Sequence, residues 1–184
     1  MNSITILKQS GGIVRSVAGE DYISGLVAYI PDADLPSGFL TSDRIKEVGT
    51  IESAEALGIV STSAVWLVKV LHYHVSEFFR INPTGSLFIG LFTKPASTYD
   101  FAEVKTVQNY AEGRIRKMGV YAPDKSFAAG DITALQGVAT TLEAQVMPVS
   151  ILYATTIANV TGISTIAATG QANVSLVVGQ EGDG

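Results

Sequence analysis

The 184-residue sequence contains no cysteine, which excludes disulfides, zinc–thiolate sites and cysteine nucleophiles at once. A chain of this length buries about 70% of the surface that its unfolded form exposes, so it does not require a disulfide or a metal in order to fold. The length is also typical of one domain. We therefore expect a single hydrophobic core to hold the fold together.

Charged residues are scarce, since Asp, Glu, Lys and Arg make up 16% of the sequence, against about 25% in ordinary globular domains. The formal net charge is −5, the opposite of the basic excess that phosphate binding requires, so we expect no nucleic-acid partner. Arg114, Arg116 and Lys117 form a basic cluster that fits either a local patch or the solvated edge of a strand. With so few charges, part of the apolar surface is expected to be buried against copies of the chain, a partner, or a further part of a longer chain.

Long uninterrupted hydrophobic runs are also missing. Lys69, His72 and His74 interrupt the most apolar window, Ile59–Val75, which falls short of the roughly 18 apolar residues that indicate a membrane span. Residues Met1–Gly12 lack the basic segment and apolar core of a secretory signal. We therefore expect no membrane association.

The sequence lacks the local motifs of phosphate binding and nucleophilic catalysis, since neither a P-loop string nor a Gly-x-Ser-x-Gly elbow occurs. His72 and His74 are two residues apart on a predicted helix, so they point about 200° apart and cannot ligate one metal as an i, i+4 pair would. Asp32 and Asp34 lie between prolines, where aspartate is ordinary turn chemistry. The glycine-rich end, Gly179–Gly184, does not have the dinucleotide-binding order. We predict no catalytic, cofactor or metal site and no enzymatic activity.

What the sequence does contain is an alternation of helical and strand patterns from Ser61 onward. The predicted order is a helix from Ser61 or Ser63 to Arg80, a strand at Leu87–Phe92, a helix at Phe101–Glu112, a strand at Ile115–Tyr121, a helix at Ile132–Val146, a strand at Val149–Tyr153, an irregular segment at Thr155–Thr169 and a strand at Val174–Gly179. Asp100 and Asp131 are the expected helix N-caps, and Gly113 is the expected C′ residue. The pattern predicts an α/β fold with a largely parallel or mixed sheet and helices packed on it.

The first sixty residues are less regular. Tyr22–Ile30 is a strand candidate, Thr41–Gly49 is ambiguous, and Ser53–Leu57 is a short helix that Gly58 ends.

A short strand pattern opens the chain. Its residues are Ser3, Ile4, Thr5, Ile6, Leu7 and Lys8, in which apolar Ile4 and Ile6 alternate with polar neighbours before a Gly11-Gly12 break. We predict an extended arm over residues 1–18 that pairs within its own domain or adds to the sheet edge of a neighbour. Residues 19–184 form the predicted α/β domain. Because the chain stops just after a buried-type strand, that domain is expected to be incomplete at its carboxyl end.

Several whole segments, taken together, resemble one family. They are Gly19–Leu26, Leu35–Gly38, His72–Pro83, Tyr99–Glu103, Ile115–Pro123 and Val174–Gln180. In order and number these segments resemble the tail-sheath-like proteins of phages and prophages, and the resemblance runs from about Gly19 to Gln180.

The resemblance implies a structural subunit and not an enzyme. Sheath subunits self-assemble around a tail tube, and extended terminal arms join neighbouring copies by strand addition. The implied partners are other copies of the chain and a tail tube protein. The implied location is the virion tail, assembled in the cytoplasm of a bacterial host. Sheath proteins usually continue well beyond the position of Gln180, so the sequence departs from the family there.

Two alternatives stay open. The first is a small α/β enzyme or nucleotide-binding domain, whose ligand would lie beyond the carboxyl ends of the strands. That edge is predicted to include Thr93, Lys94, Ala122, Pro123, Ala154 and Thr155, among which only Lys94 is reactive. The second is a non-contractile adaptor or interaction module of a larger assembly.

Overall fold

The computed structural model describes residues 23–96, 98–156 and 172–178. The predicted arm strand Ser3–Lys8 and the glycine-rich end lie outside these residues, as does most of the segment predicted to be irregular. The strands are β1 Ile23–Tyr29, β2 Ile45–Val48, β3 Ser86–Phe92, β4 Lys117–Ser126, β5 Ser150–Thr156 and β6 Val174–Val178; the α-helices are α1 Ile51–Ala56, α2 Trp66–Ile81, α3 Ala102–Tyr110 and α4 Ala129–Ala144.

The described strands form one six-stranded sheet with the order β2-β3-β1-β4-β5-β6. Strand β2 runs antiparallel to β3, and all other neighbouring strands are parallel. If only the parallel strands are numbered, the order is 2-1-3-4-5, which is one of the common orders of doubly wound sheets. The predicted α/β class with a mixed sheet is confirmed.

The two faces of the sheet are covered by different helices. On the α3/α4 face, apolar residues of α3 and α4 pack on alternate strand residues in one continuous core, which includes Val27, Phe88, Val104, Met118, Leu135 and Ile151. On the α1/α2 face, the two earlier helices pack on β1 and β3 in a second core, which includes Ala28, Val68, Leu71, Val75, Ile89 and Leu91. The sheet is therefore buried on both sides at β1 and β3, as the continuous apolar run of β3 predicts.

Several predicted element boundaries are wrong for identifiable reasons. Strand β4 does not end at Tyr121 as predicted but continues through Pro123 to Ser126, with a register shift after Ala122 where its pairing with β5 is interrupted. Proline is tolerated at such an irregularity because no ladder hydrogen bond is required of it there. Helix α4 begins at Ala129, so its N-cap is Ala128 and not Asp131 as predicted. Asp131 Oδ2 instead accepts a hydrogen bond from the Ala128 amide at 3.0 Å.

The ends of α3 also differ from the predicted ones. The N-cap is Phe101, and Asp100 Oδ1 accepts a hydrogen bond from the amide of Ala102 at 3.1 Å. At the other end, the left-handed C′ position is occupied by Glu112, with φ 55°, and Gly113 follows it with φ 76°. The ambiguous segment Thr41–Gly49 contains β2. None of the helices in the described ranges is both long and apolar enough to cross a membrane.

Candidate functional site

After β1, the next parallel strand, β3, is added on one side of it, and β4, β5 and β6 are added on the other side. The point at which the order changes direction lies between β1 and β4. In doubly wound sheets, ligands bind in the crevice beyond the carboxyl ends of the strands at this point. Here aromatic side chains from three elements lie there: Tyr29 at the end of β1, Tyr99 and Phe101 after β3, and Tyr153 in β5. All four are buried. The ring centroids of Tyr29 and Tyr99 are 4.8 Å apart and those of Phe101 and Tyr153 are 5.4 Å apart, so edge-to-face packing fills the crevice. We call these four residues the crevice aromatic cluster.

Phe101 is in a strained conformation within this cluster. Its φ is 57°, in the left-handed region that bulky residues other than glycine rarely adopt. That backbone costs roughly 1–2 kcal/mol. The side chain is fully buried against Tyr29, Tyr99 and Tyr153, and burial of such a ring contributes about 1.5–3 kcal/mol. Packing of the ring therefore offsets the strain.

The hydroxyl groups of the cluster are hydrogen-bonded within the protein. Tyr29 donates to Glu103 Oε2 at 2.8 Å. Burial raises the pKa of Tyr29 far above its ordinary value, and the negative charge of Glu103 raises it further. Since a phenol of this kind stays protonated at neutral pH, Tyr29 holds the start of α3 to β1 and is poorly suited to accept a proton.

A second polar group joins β4, α4 and β5. Asp131 Oδ2 lies 2.7 Å from Lys125 Nζ and accepts a hydrogen bond from Tyr153 at 3.2 Å. The Ala128 amide donates to the same oxygen. Burial raises the pKa of Tyr153, and the charge of Asp131 adds to this effect. Three donors converge on one carboxylate oxygen, which indicates a structural ion pair at the start of α4.

At the ends of β1 and β3, Asp32 connects the loop after β1 to its neighbours. Arg44 Nη2 lies 2.8 Å from Asp32 Oδ1, and the hydroxyl of Thr93 donates to the same oxygen. The Thr93 hydrogen bond, followed by that from Arg44, lowers the pKa of Asp32. The same guanidinium donates to the carbonyl oxygen of Leu91 at 3.2 Å. Asp32 therefore links the loop after β1 to Arg44 and to Thr93, in addition to its predicted role in a turn.

The residues predicted for the carboxyl edge are only partly brought together. Thr93 joins Asp32, and the hydroxyl of Thr155 donates to the carbonyl oxygen of Lys125. Ala122 and Pro123 are buried, and Lys94 is exposed. Ala154 faces the opposite side of the sheet from the crevice aromatic cluster and lines a groove described below.

The two histidines have different neighbours, as their spacing predicts. His72 Nε2 lies 2.9 Å from Glu55 Oε1 of α1. The ring of His74 lies 5.7 Å from that of Tyr121. Within residues 23–96, 98–156 and 172–178, no group of three or more His, Asp or Glu side chains is placed to hold a metal ion.

The three residues of the basic cluster have different neighbours. The Arg114 guanidinium lies 5.3 Å from the centroid of the Phe88 ring, and Arg116 Nη1 donates to the carbonyl oxygen of Gly113 at 2.7 Å. Both arginines lie near the carboxyl end of α3, where a positive charge is favourable for the helix dipole. Lys117 lines the groove on the other face of the sheet.

Sequence reasoning missed the crevice aromatic cluster and the Lys125–Asp131 pair. A signal for the cluster was available, because Tyr99 and Phe101 follow β3 directly and such loops meet at the carboxyl edge. Lys125 was missed because β4 was expected to end at Tyr121.

An open cavity in the described part of the protein lies on the α1/α2 face, between α2 and strands β4, β5 and β6. We call it the α2–β6 groove. Its volume is about 490 Å³, and its lining is mostly apolar. The side chains that line it include His74, Phe78, Ile81, Tyr121, Leu152 and Val177.

Comparison of the chain with protein-family models, curated proteins and solved structures found no match.

Proposed function

We propose that this protein is a structural subunit of a phage-type contractile tail sheath, which self-assembles around a tail tube. In this proposal the arm strand Ser3–Lys8 of one copy adds to the sheet of the next copy. Other copies and a tail tube protein are the partners, and the virion tail is the location. The assignment to a sheath rests on the resemblance of the six segments given above.

The structural observation that supports assembly is the edge at β6. Among the described strands, β6 pairs with β5 alone, and where no described strand pairs with its other side the backbone groups can bind an added strand. Leu152 and Val177 lie beside this edge and are 43% and 45% exposed. An added strand obtains its affinity from main-chain hydrogen bonds and its specificity from alternate side chains, and the alternation of Ser3–Lys8 suits that role.

The crevice aromatic cluster favours a structural role over the enzyme alternative. Four buried rings occupy the place where a doubly wound sheet holds its ligand. The polar groups around them are engaged in hydrogen bonds that join strands to helices. The adaptor alternative shares these features and differs from a sheath subunit in the shape of the assembly.

Deletion of Met1–Gly11 tests the proposal. We expect the shortened chain to keep its far-ultraviolet circular dichroism and to lose higher oligomers in light scattering. A matched pair of variants isolates the strand: Ile4→Asp with Ile6→Asp should reduce association, whereas Ser3→Asp with Thr5→Asp adds the same charge on the other side of the strand and should reduce it less.

Equal oligomer size with and without the arm, or a full chain that remains monomeric, would contradict the proposal. Electron microscopy of the full chain separates the alternatives, because tubes or rings support a sheath and discrete particles support an adaptor. Thermal stabilisation by a nucleotide would favour the enzyme alternative.

A further inference from the structure

The α2–β6 groove is a gap in an otherwise two-sided fold. A parallel sheet is normally covered on both faces, yet on the α1/α2 face no helix in the described ranges lies over β5 and β6, and at β4 the ring of His74 of α2 packs against Tyr121. Leu152 of β5 and Val177 of β6 are open there. At Gly119 of β4, an added Cβ would lie 3.2 Å from Leu26 Cδ1 and near little else. The sheet from β4 to β6 is therefore incompletely covered on this face, with exposed apolar side chains on β5 and β6.

Helix α2 supplies the second wall. Its buried residues, Val68, Leu71, Val75 and Phe79, face β1 and β3. A separate set, His74, Phe78 and Ile81, lines the groove, and Ile81 is 73% exposed. A solvent-facing side of a helix is normally polar. The apolar character of α2 on this second side indicates that something packs there.

The covering segment is not expected to be a crossover between strands. Right-handed crossovers that move from β1 toward β6 lie on the α3/α4 face, where α3 and α4 are found. The residue just before β6 also lies on the α3/α4 face, because the Asn173 amide donates to Gln136 Oε1 of α4 at 3.0 Å. Val174 and Leu176 also pack against the α3/α4 core. The groove therefore requires a terminal segment or another molecule.

The chain enters the described fold beside this groove. Ser24 and Leu26 of β1 line it, and Ser24 is in register with Lys117, another lining residue. The first described residue, Ile23, is preceded by 22 residues. Glu20 and Asp21 come just before β1 and have the charge that complements Lys117.

We infer that the segment Ile13–Ala18 of the same molecule packs into the α2–β6 groove. The segment carries Ile13, Val14, Val17 and Ala18, with Arg15 as its single charge. Four residues separate Ala18 from Ile23, which allows up to about 17 Å of reach. Adjacent strands are about 4.8 Å apart, so β6 lies about 14 Å from β1. The segment can therefore cross β4, β5 and β6 and leave the arm strand free beyond Gly11-Gly12.

The absence of native cysteine makes a disulfide test unambiguous. Cysteine is introduced at Ile13, Val14 or Val17, each in combination with Leu152→Cys, and the three full-length double variants are oxidised at low concentration. The matched control combines the same substitutions with Tyr110→Cys, since Tyr110 is exposed on α3 at the opposite face. Non-reducing electrophoresis and mass spectrometry measure the fraction of internal disulfide.

We expect at least one Leu152→Cys combination to form an internal disulfide several-fold faster than its Tyr110→Cys control. A disulfide that forms only between molecules would overturn the inference and identify a second copy as the occupant. Equal rates with the control, or no disulfide in any of the three combinations, would also overturn it.

Two deletions give an independent measurement. Both shortened chains lack the arm strand, so the chain without residues 1–18 should bind a surface-binding hydrophobic dye with several-fold higher fluorescence than the chain without residues 1–12, because only in the former is the groove open. Circular dichroism controls for folding. An equal response to both deletions would contradict the inference. These results do not depend on the proposed function, because loss of oligomers on removal of residues 1–11 tests the arm strand alone.

Discussion

The two faces of the sheet differ in how completely the described chain covers them. On the α3/α4 face, α3 and α4 span β1, β3, β4 and β5, and the residues between them are almost wholly buried. On the α1/α2 face, the two earlier helices cover β1 and β3 and leave the strip from β4 to β6 open. Strands β4, β5 and β6 therefore have one side that packs in a core and another side that forms part of the surface.

This difference separates the part of the sequence that stabilises the fold from the part available for contacts. Burial of apolar area contributes about 25 cal/mol per Å², so the free energy of unfolding is expected to depend on the two cores, of which the larger lies on the α3/α4 face. The open strip contributes little to that free energy until something covers it. Substitutions on each face test this comparison.

The largest effect is expected from two neighbouring residues of β5 that point to opposite faces. Ile151 is 1% exposed and Leu152 is 43% exposed. Ile151→Ala should lower the free energy of unfolding by about 2–5 kcal/mol, because it opens a cavity in a packed core. Leu152→Ala should cost less than about 1 kcal/mol in a chain without residues 1–18. Urea denaturation with an unchanged m-value measures both.

The substitution Leu152→Ala also tests the inference about the groove. If Ile13–Ala18 covers Leu152, then Leu152→Ala should cost more in the full chain than in the chain without residues 1–18. Equal costs of Ile151→Ala and Leu152→Ala in the shortened chain would contradict the difference between the faces.

The α3/α4 face could be predicted from the sequence, whereas the open strip could not. The spacing of Phe101, Val104, Val107 and Ala111 predicts one buried side of α3, and all four are buried. Such periodicity reports that a side chain is apolar on one face of an element. It does not report which strands lie under that face, and Leu152 and Val177 look as core-like in sequence as Ile151.

The candidate site was less predictable than the core. The carboxyl edge follows from the alternation of elements, so Thr93 and Thr155 could be placed there. The packing of the crevice aromatic cluster depends on a left-handed φ at Phe101. Tertiary packing imposes this conformation against the local preference of the residue. The extension of β4 past Pro123, which positions Lys125, depends on an irregularity in its pairing with β5.

A smaller effect is expected at alkaline pH, from tyrosines on the well-packed face. The pKa of Tyr29 and of Tyr153 is raised in the folded protein, chiefly by burial, while in the unfolded chain it is about 10. Below pH 10 both states keep the proton and stability is unaffected. Above it the unfolded state loses the proton first, so stability falls by up to about 1.4 kcal/mol per pH unit for each tyrosine.

Tyr29→Phe should therefore make the fall in stability above about pH 10 shallower, at a cost of about 1 kcal/mol at neutral pH for the lost hydrogen bond to Glu103. Tyr110→Phe is the matched control, because Tyr110 is exposed on α3, and it should leave the slope unchanged. Chemical denaturation at a series of pH values measures the slope. Identical slopes in the two variants would show that Tyr29 is not protected by the packing of this face.

The smallest effect concerns how the helices on the two faces end. Helices α1 and α4 both close with a Schellman motif, in which the C′ amide bonds to the carbonyl of C2 and the next amide to that of C3. In α1 the C′ residue is Gly58, with φ 87°; in α4 it is Val146, with φ 62°. Val146 is 86% exposed, so its side chain gains almost nothing from burial to offset the strain.

Val146→Gly should therefore raise the free energy of unfolding by about 0.5–1 kcal/mol, because relief of a strained β-branched residue exceeds the entropy that glycine adds to the unfolded chain. Gly58→Ala is the opposite change at the equivalent position of α1 and should lower stability, since an added Cβ would also lie 2.8 Å from Ser37 Oγ. Thermal and urea unfolding of the two variants measure the effect. The two amide hydrogen bonds that close the helix, from Val146 to Glu143 and from Met147 to Leu142, are both 2.9 Å long and hold valine in this conformation. If Val146→Gly instead destabilises the protein, strain at Val146 is not what distinguishes the end of α4 from that of α1.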